Sequence, residues 1–190
     1  MTDTSHPTPR PDELQAARDQ WLWRGQARPP FAALPGPGQT SVWDFPRPPQ
    51  LATDGREVVV RWGGVEVARS RRAVRVLETA HPPSVYLPWD DVDRHLLQAA
   101  PGGSFCEWKG PARYWSLVDG DRRLPAVAWS YPQPLAGAQA LAHCVAFYPG
   151  PLDCTVDGAT VLPQPGGFYG GWITPDLTGP FKGAPGSAGW

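Results

Sequence analysis

Two short stretches of the chain bring together residue types that can do chemistry. The first, Glu78-Thr79-Ala80-His81-Pro82-Pro83-Ser84-Val85-Tyr86, sets a carboxylate, an imidazole and a phenol within nine positions of each other. It is an irregular, proline-broken segment between two runs that read as strands, and binding residues concentrate on loops held by a rigid scaffold. Glu78 continues the face of Val74 and Val76, so it is expected to end a strand pointing inward, where a carboxylate needs a partner such as Arg72 or Lys109. The second stretch is Cys106-Glu107-Trp108-Lys109-Gly110. Read as a strand, it sends Cys106 and Trp108 to one face and Glu107 and Lys109 to the other. The functional reading makes Cys106 a nucleophile or Glu107 and Lys109 an acid–base pair. The plain alternative is a surface ion pair beside a core cysteine, because a nucleophilic thiol needs an adjacent base that the sequence does not place.

Aromatic residues form a third group, and with ten tryptophans the chain is unusually rich in them. Most must serve as core, since each aromatic side chain buries about 150–250 Å². Tyr114 and Trp115 alternate, however, and cannot both face inward on a one-sided sheet, whereas Trp129 and Tyr131 share a face that ends at Pro132. Aromatic walls at strand ends suit flat or cationic small molecules. The candidate ligand-binding residues are therefore Glu78, His81, Tyr86, Trp108, Lys109, Tyr114, Trp129 and Tyr131, and the candidate catalytic residues Glu78, His81, Cys106 and Lys109. Cys106, Cys144, Cys154 and His143 lack the close pairing of structural zinc ligands, so no metal is expected. Nucleotide-loop, dinucleotide-fold, zinc-hydrolase, CxxC and GxSxG motifs are all missing, and no cofactor is implied.

The elements that must position these groups read as a β domain between two irregular flanks. Residues 1–55 form a proline-rich extension with one short helix over 12–24, capped by Asp12, presenting Leu14, Ala17 and Trp21 and ended by Gly25. Its stretch 28–50 is too proline-punctuated for a ladder or a long helix. From Glu57 the period becomes two: EVVVRW and VEVARS flank Gly63-Gly64 as a hairpin, and AVRVLE follows. A short helix is expected from Asp90 with Val92, Leu96 and Leu97 on one side. Short strands then continue to residue 162, with hairpin turns at the two Val-Asp-Gly triplets. The tail 163–190 is rich in glycine, proline and aromatics, and Phe168, Tyr169 and Trp172 favour its packing on the domain.

Composition narrows the class of partner. Net charge is −1 over 190 residues, which supplies no electrostatic footprint for nucleic acid. No run is apolar enough to span a membrane, and the start lacks the order of a signal peptide. Three scattered cysteines fit a reducing compartment, so a cytoplasmic location is expected.

The segments Arg72-Ala73-Val74-Arg75-Val76-Leu77-Glu78, Tyr86 with Pro88 and Asp91-Val92, Cys106 with Lys109-Gly110, Tyr114, Ala128-Trp129-Ser130-Tyr131-Pro132 and Val145-Ala146-Phe147-Tyr148 together resemble the bacterial family called domain of unknown function 427. The likeness runs from about Val58 to Val161. Glu107 stands where shorter members commonly have proline. The flanks, with Ser41-Val42-Trp43-Asp44-Phe45-Pro46-Arg47-Pro48-Pro49 and Gly166-Gly167-Phe168-Tyr169-Gly170-Gly171-Trp172-Ile173, resemble a longer subgroup. The resemblance implies a mainly β, compact β-tent-like architecture of small antiparallel sheets. It also brings a nucleotidyltransferase-like label, although no close pair of carboxylates on one strand is available for Mg²⁺ and there is no Gly-Ser phosphate loop. Three functions compete: binding of a small metabolite in an aromatic-walled polar pocket; an enzyme acting on a small substrate through Cys106 or Glu78 and His81; and an interaction protein whose arm and tail bind a partner or a second copy in a homodimer.

Overall fold

Alternation of apolar residues sets in at Val58, and from there the computed structural model, which describes residues 9–190, is built mainly of strands. Residues 1–8, on which the leader-free reading of the start rests, lie outside the described residues. In chain order the strands are β1 (Thr40–Ser41), β2 (Gln50–Asp54), β3 (Val58–Trp62), β4 (Val65–Ser70), β5 (Ala73–Leu77), β6 (Ser84–Pro88), β7 (Leu97–Cys106) and β8 (Gly110–Asp119). They continue with β9 (Arg122–Ser130), β10 (Cys144–Phe147), β11 (Asp153–Val156), β12 (Ala159–Thr160), β13 (Leu162–Pro163), β14 (Trp172–Ile173) and β15 (Leu177–Thr178). An α-helix, α1 (Pro11–Asp19), precedes them. No helix among the described residues is long and apolar enough to cross a membrane.

The protein is mainly β, with several antiparallel sheets and, among the described residues, no closed barrel. A seven-stranded sheet has the order β2-β5-β6-β10-β9-β8-β7, and a four-stranded sheet the order β12-β11-β3-β4. Gly63 and Gly64, at φ +54° and +85°, make the tight turn between β3 and β4. Alternation then divides the large sheet into two buried faces. Val85, Leu87, Leu117, Val145 and Phe147 pack with Val58, Val60, Val67 and Cys154 of the smaller sheet. Their neighbours Tyr86, Ala112, Trp129, Cys144 and Ala146 form a second core on the opposite face, with Val76 and Tyr131. Central strands covered on both faces are apolar almost throughout, which explains Cys144-Val145-Ala146-Phe147.

Several local expectations are corrected. Cys106-Glu107-Trp108-Lys109-Gly110 is not one strand but the tip of the β7–β8 hairpin, with Cys106 paired to Gly110 and three residues between them, so face alternation does not apply there. The helix expected from Asp90 is two 3-10 turns, Trp89–Asp91 and Arg94–Leu96, and Leu97 opens β7. Pro101-Gly102-Gly103 had masked that strand; it is absorbed in a register shift between Ala99 and Gly103. α1 ends at Asp19, short of Trp21, with Arg10 as its N-cap and Asp12 inside the first turn. The proline-rich stretch 28–50 does enter ladders: Thr40–Ser41 within it pairs in parallel with β15, and Gln50 at its end pairs with Leu77.

Arm and tail also build a third core. Val42, Trp43 and Phe45 pack with Ala80 and Leu177, and Trp23, Phe181 and Trp190 close around them. Trp43 is fully buried, and its indole N–H donates to the Pro180 carbonyl at 3.1 Å. Truncating such a residue costs about 3–5 kcal/mol. Trp43→Ala should therefore lower the melting temperature by about 10 °C, and deleting residues 1–49 should lower it at least as far. A melting curve unchanged by the deletion would show that the arm contributes nothing to the folded domain.

Candidate functional site

Register across the large sheet sets a row of side chains on its outer face. Tyr114 pairs with Trp129, Trp129 with Ala146, Ala146 with Tyr86 and Tyr86 with Val74. Because Ala146 is small, the indole of Trp129 reaches across β10 and donates to the Tyr86 hydroxyl at 3.0 Å. This row floors a cavity of about 200 Å³. All eight candidate ligand-binding residues and Cys106 line it: Glu78, His81, Tyr86, Trp108, Lys109, Tyr114, Trp129 and Tyr131. Trp115, by contrast, packs into the core between the sheets.

The carboxylate is held by a group other than the partners expected for it. Arg47 Nε lies 3.2 Å from Glu78 Oε1, with the Arg47 side chain 0% and the Glu78 side chain 13% exposed. Arg72, one of the partners expected, instead pairs with Asp91. Burial opposes ionisation of Glu78, but His81, Lys109 and Arg47 outweigh it and hold the carboxyl below its ordinary value. Arg47 donates further to the carbonyls of Trp23 and Thr79, at 3.0 and 2.9 Å. Past Thr79 the chain turns through Ala80 at φ +70°, a strained angle for a residue with a Cβ. The turn is fixed from both sides: Ala80 N–H donates to Val42 of the arm, and Ala80 C=O accepts from Lys182 of the tail.

The tautomer of His81 follows from its neighbour. Gln164 Nε2 donates to the Lys182 carbonyl at 2.8 Å, and its Oε1 accepts from Gly171 N–H at 3.1 Å. Those two backbone groups fix which way round the amide sits. Nε2 therefore offers its second hydrogen to His81 Nδ1, 3.0 Å away. Nδ1 must accept, which leaves the ring proton on Nε2. A second proton on Nδ1 would set donor against donor, in line with a pKa pushed down to about 4, mainly by burial and against the pull of Glu78.

The β7–β8 turn supplies the remaining polar groups. Lys109 is buried among Cys106, Tyr131, Tyr86 and Glu78; burial favours its neutral form, but these acidic neighbours outweigh it and raise its pKa. Its ammonium lies 5.9 Å from the centre of the Tyr131 ring and has no hydrogen-bond or ion-pair partner among the described residues. Trp108 Nε1 is buried without an acceptor. Cys106 points its thiol at Glu107, 3.8 Å away, and burial raises its pKa, the reverse of what a nucleophile requires.

Sequence reasoning missed the cover of the site. Trp21, just past α1, lines the cavity and donates to Glu107 Oε1 at 2.9 Å, while Arg47 and Lys182 lie over its ring at 4.6 and 4.5 Å. From the tail, Tyr169 meets His81 edge to face at 4.6 Å. Gly170 crosses the Trp129 indole so closely that a Cβ there would lie 2.1 Å from Cη2. Trp21 was read only as part of the apolar face of the short helix, and Arg47 and Gln164 sit in segments with no hydrophobic period to give them a partner. The glycine pairs 166–167 and 170–171 were the one visible hint of a close backbone approach.

His81 gives the site a measurable pH signature. With a folded pKa of about 4 against the ordinary 6.5, the folded protein binds fewer protons than the unfolded chain in that window. Stability is therefore full above 6.5 and falls as pH drops toward 4, by on the order of 3 kcal/mol, with the depressed Glu78 adding in the same direction below its ordinary pKa. Nitrogen NMR should find His81 neutral with its proton on Nε2 at pH 6, and a midpoint near 6.5 would refute the buried-acceptor geometry.

A family model described as a domain of unknown function, DUF427, matches residues 50–158, from the first strand of the large sheet to the turn after β11. Comparison with curated proteins gives no match. The matched segment carries Glu78, His81, Tyr86, Cys106, Lys109, Tyr114, Trp129 and Tyr131, while Trp21, Arg47, Gln164 and Tyr169 lie outside it. With more than half of its residues covered by that model, the chain belongs to the DUF427 family.

Proposed function

We propose that the protein binds a small organic metabolite in the cavity on the outer face of its large sheet. One observation carries the reading: charged and hydrogen-bonding side chains from the end of β5, the loop after it and the β7–β8 turn converge with aromatic walls on a single, partly open cavity. At about 200 Å³ that space is smaller than the roughly 300–1,000 Å³ of drug-sized sites, so the ligand is small. Trp129, Trp108, Tyr114 and Tyr131 offer stacking surface, and Glu78, His81, Tyr86 and Lys109 the polar anchors. The raised thiol of Cys106 favours binding over nucleophilic catalysis. Free cysteines and the absence of a nucleic-acid charge footprint agree with a cytoplasmic small-molecule partner.

A metabolite library screened by intrinsic tryptophan fluorescence should return a ligand that changes the emission and raises the melting temperature. Trp129→Ala should abolish its binding, and Glu78→Gln should change its affinity at least tenfold while staying folded, because the amide oxygen of that variant can still accept from Arg47. If no compound shifts emission or melting and Glu78→Gln unfolds, the cluster is a core polar network and the binding function falls.

A further inference from the structure

The hydrogen-bonding groups that face the cavity are unequally divided between donors and acceptors. Lys109 has an ammonium without a protein partner among the described residues. His81 is left with an Nε2–H by the Gln164 contact. Tyr86 accepts from Trp129, so its own hydroxyl hydrogen is unused, and the Tyr131 hydroxyl has no hydrogen-bond partner among the described residues. The acceptors, by contrast, are mostly engaged. Arg47 meets Glu78 Oε1 and leaves Oε2 as the one carboxylate oxygen there without a hydrogen-bond donor among the described residues, and Glu107 is met by Trp21 Nε1–H and the Cys106 thiol. Nearby cations are engaged too: Arg47 on Glu78 and two carbonyls, and Lys182 on the carbonyls of Ser187, Ala188 and Trp190.

An ammonium that faces a cavity with no hydrogen-bonded or ion-paired partner is incompletely satisfied, and four donors without acceptors call for a group that accepts from several directions. We infer that the ligand carries a single carboxylate, seated on Lys109 with His81 Nε2–H and the hydroxyls of Tyr86 and Tyr131 as its hydrogen-bond donors. A single negative charge is what this lining neutralises. A phosphate dianion would bring a second charge beside Glu78 and Glu107, with no further free cation among the described residues of the cavity to meet it. The aromatic walls then hold a flat body behind the carboxylate.

The inference rests on the proposed binding function and is tested separately from it. Matched pairs of a carboxylate and its primary amide, acetate with acetamide and benzoate with benzamide, are titrated into the full chain with inorganic phosphate as a third probe. The readout is the indole N–H signals of Trp108 and Trp129. Carboxylates should move these signals at concentrations at least tenfold lower than the amides, phosphate should not, and Lys109→Met should remove the difference. Equal response to acid and amide, a stronger response to phosphate, or a carboxylate preference that survives Lys109→Met overturns the inference. The comparison in the unmodified protein holds whether or not that variant folds. A library ligand that is neutral or cationic would leave the binding function standing and remove the carboxylate; silence from every compound in both experiments would remove both.

Discussion

A guanidinium with no exposed surface needs a counter-charge and hydrogen-bond acceptors, and in this chain Arg47 imposes that requirement on three segments at once. Its acceptors are the Glu78 carboxylate at the end of β5, the Thr79 carbonyl in the loop that follows and the Trp23 carbonyl of the arm. Removing one partner of such a buried pair costs about 3–5 kcal/mol, because the other charge is left without compensation. The pair therefore specifies where the arm lies more than it adds net stability. Trp21, under the same guanidinium, is carried to the cavity as a consequence.

The site is thus a sheet face with two covers. The sheet contributes a rigid floor, because the row of Tyr114, Trp129, Ala146 and Tyr86 is fixed by strand register and by buried packing behind it. Arm and tail contribute the roof, and both are hydrogen-bonded to Ala80, the residue whose left-handed turn carries the chain from Glu78 to His81. The tail acts on chemistry as well as shape. Through Lys182 and Gly171 it orients the Gln164 amide, and through that amide it sets the proton position on His81. An imidazole kept neutral in this way is a fixed donor, suited to recognition.

What the sequence made legible follows the reach of its patterns. Period two and Gly63-Gly64 sufficed for the strands, and the inward face of Val74, Val76 and Glu78 led to the cavity, as did the shared face of Trp129 and Tyr131. Alternation failed at Cys106 to Gly110 because a three-residue hairpin tip lets consecutive side chains turn toward one space, which is how Cys106 and Lys109 both line the cavity. The partner of Glu78 was illegible for a different reason. Arg47 lies 31 residues away in a proline-rich segment, and long-range pairing of two polar residues leaves no period to read. Gln164 and Tyr169 are hidden likewise in the glycine-rich tail.

The account stands on the coupling between Arg47 and Glu78, and a double-mutant cycle measures it directly. Unfolding free energies of the parent protein, Arg47→Met, Glu78→Gln and the double variant should give an interaction energy of roughly 1–3 kcal/mol, the double variant being less destabilised than the sum of the two single changes. An interaction energy within about 0.5 kcal/mol of zero would mean that the arm is held without this pair, and that the carboxylate at the cavity is not positioned by it.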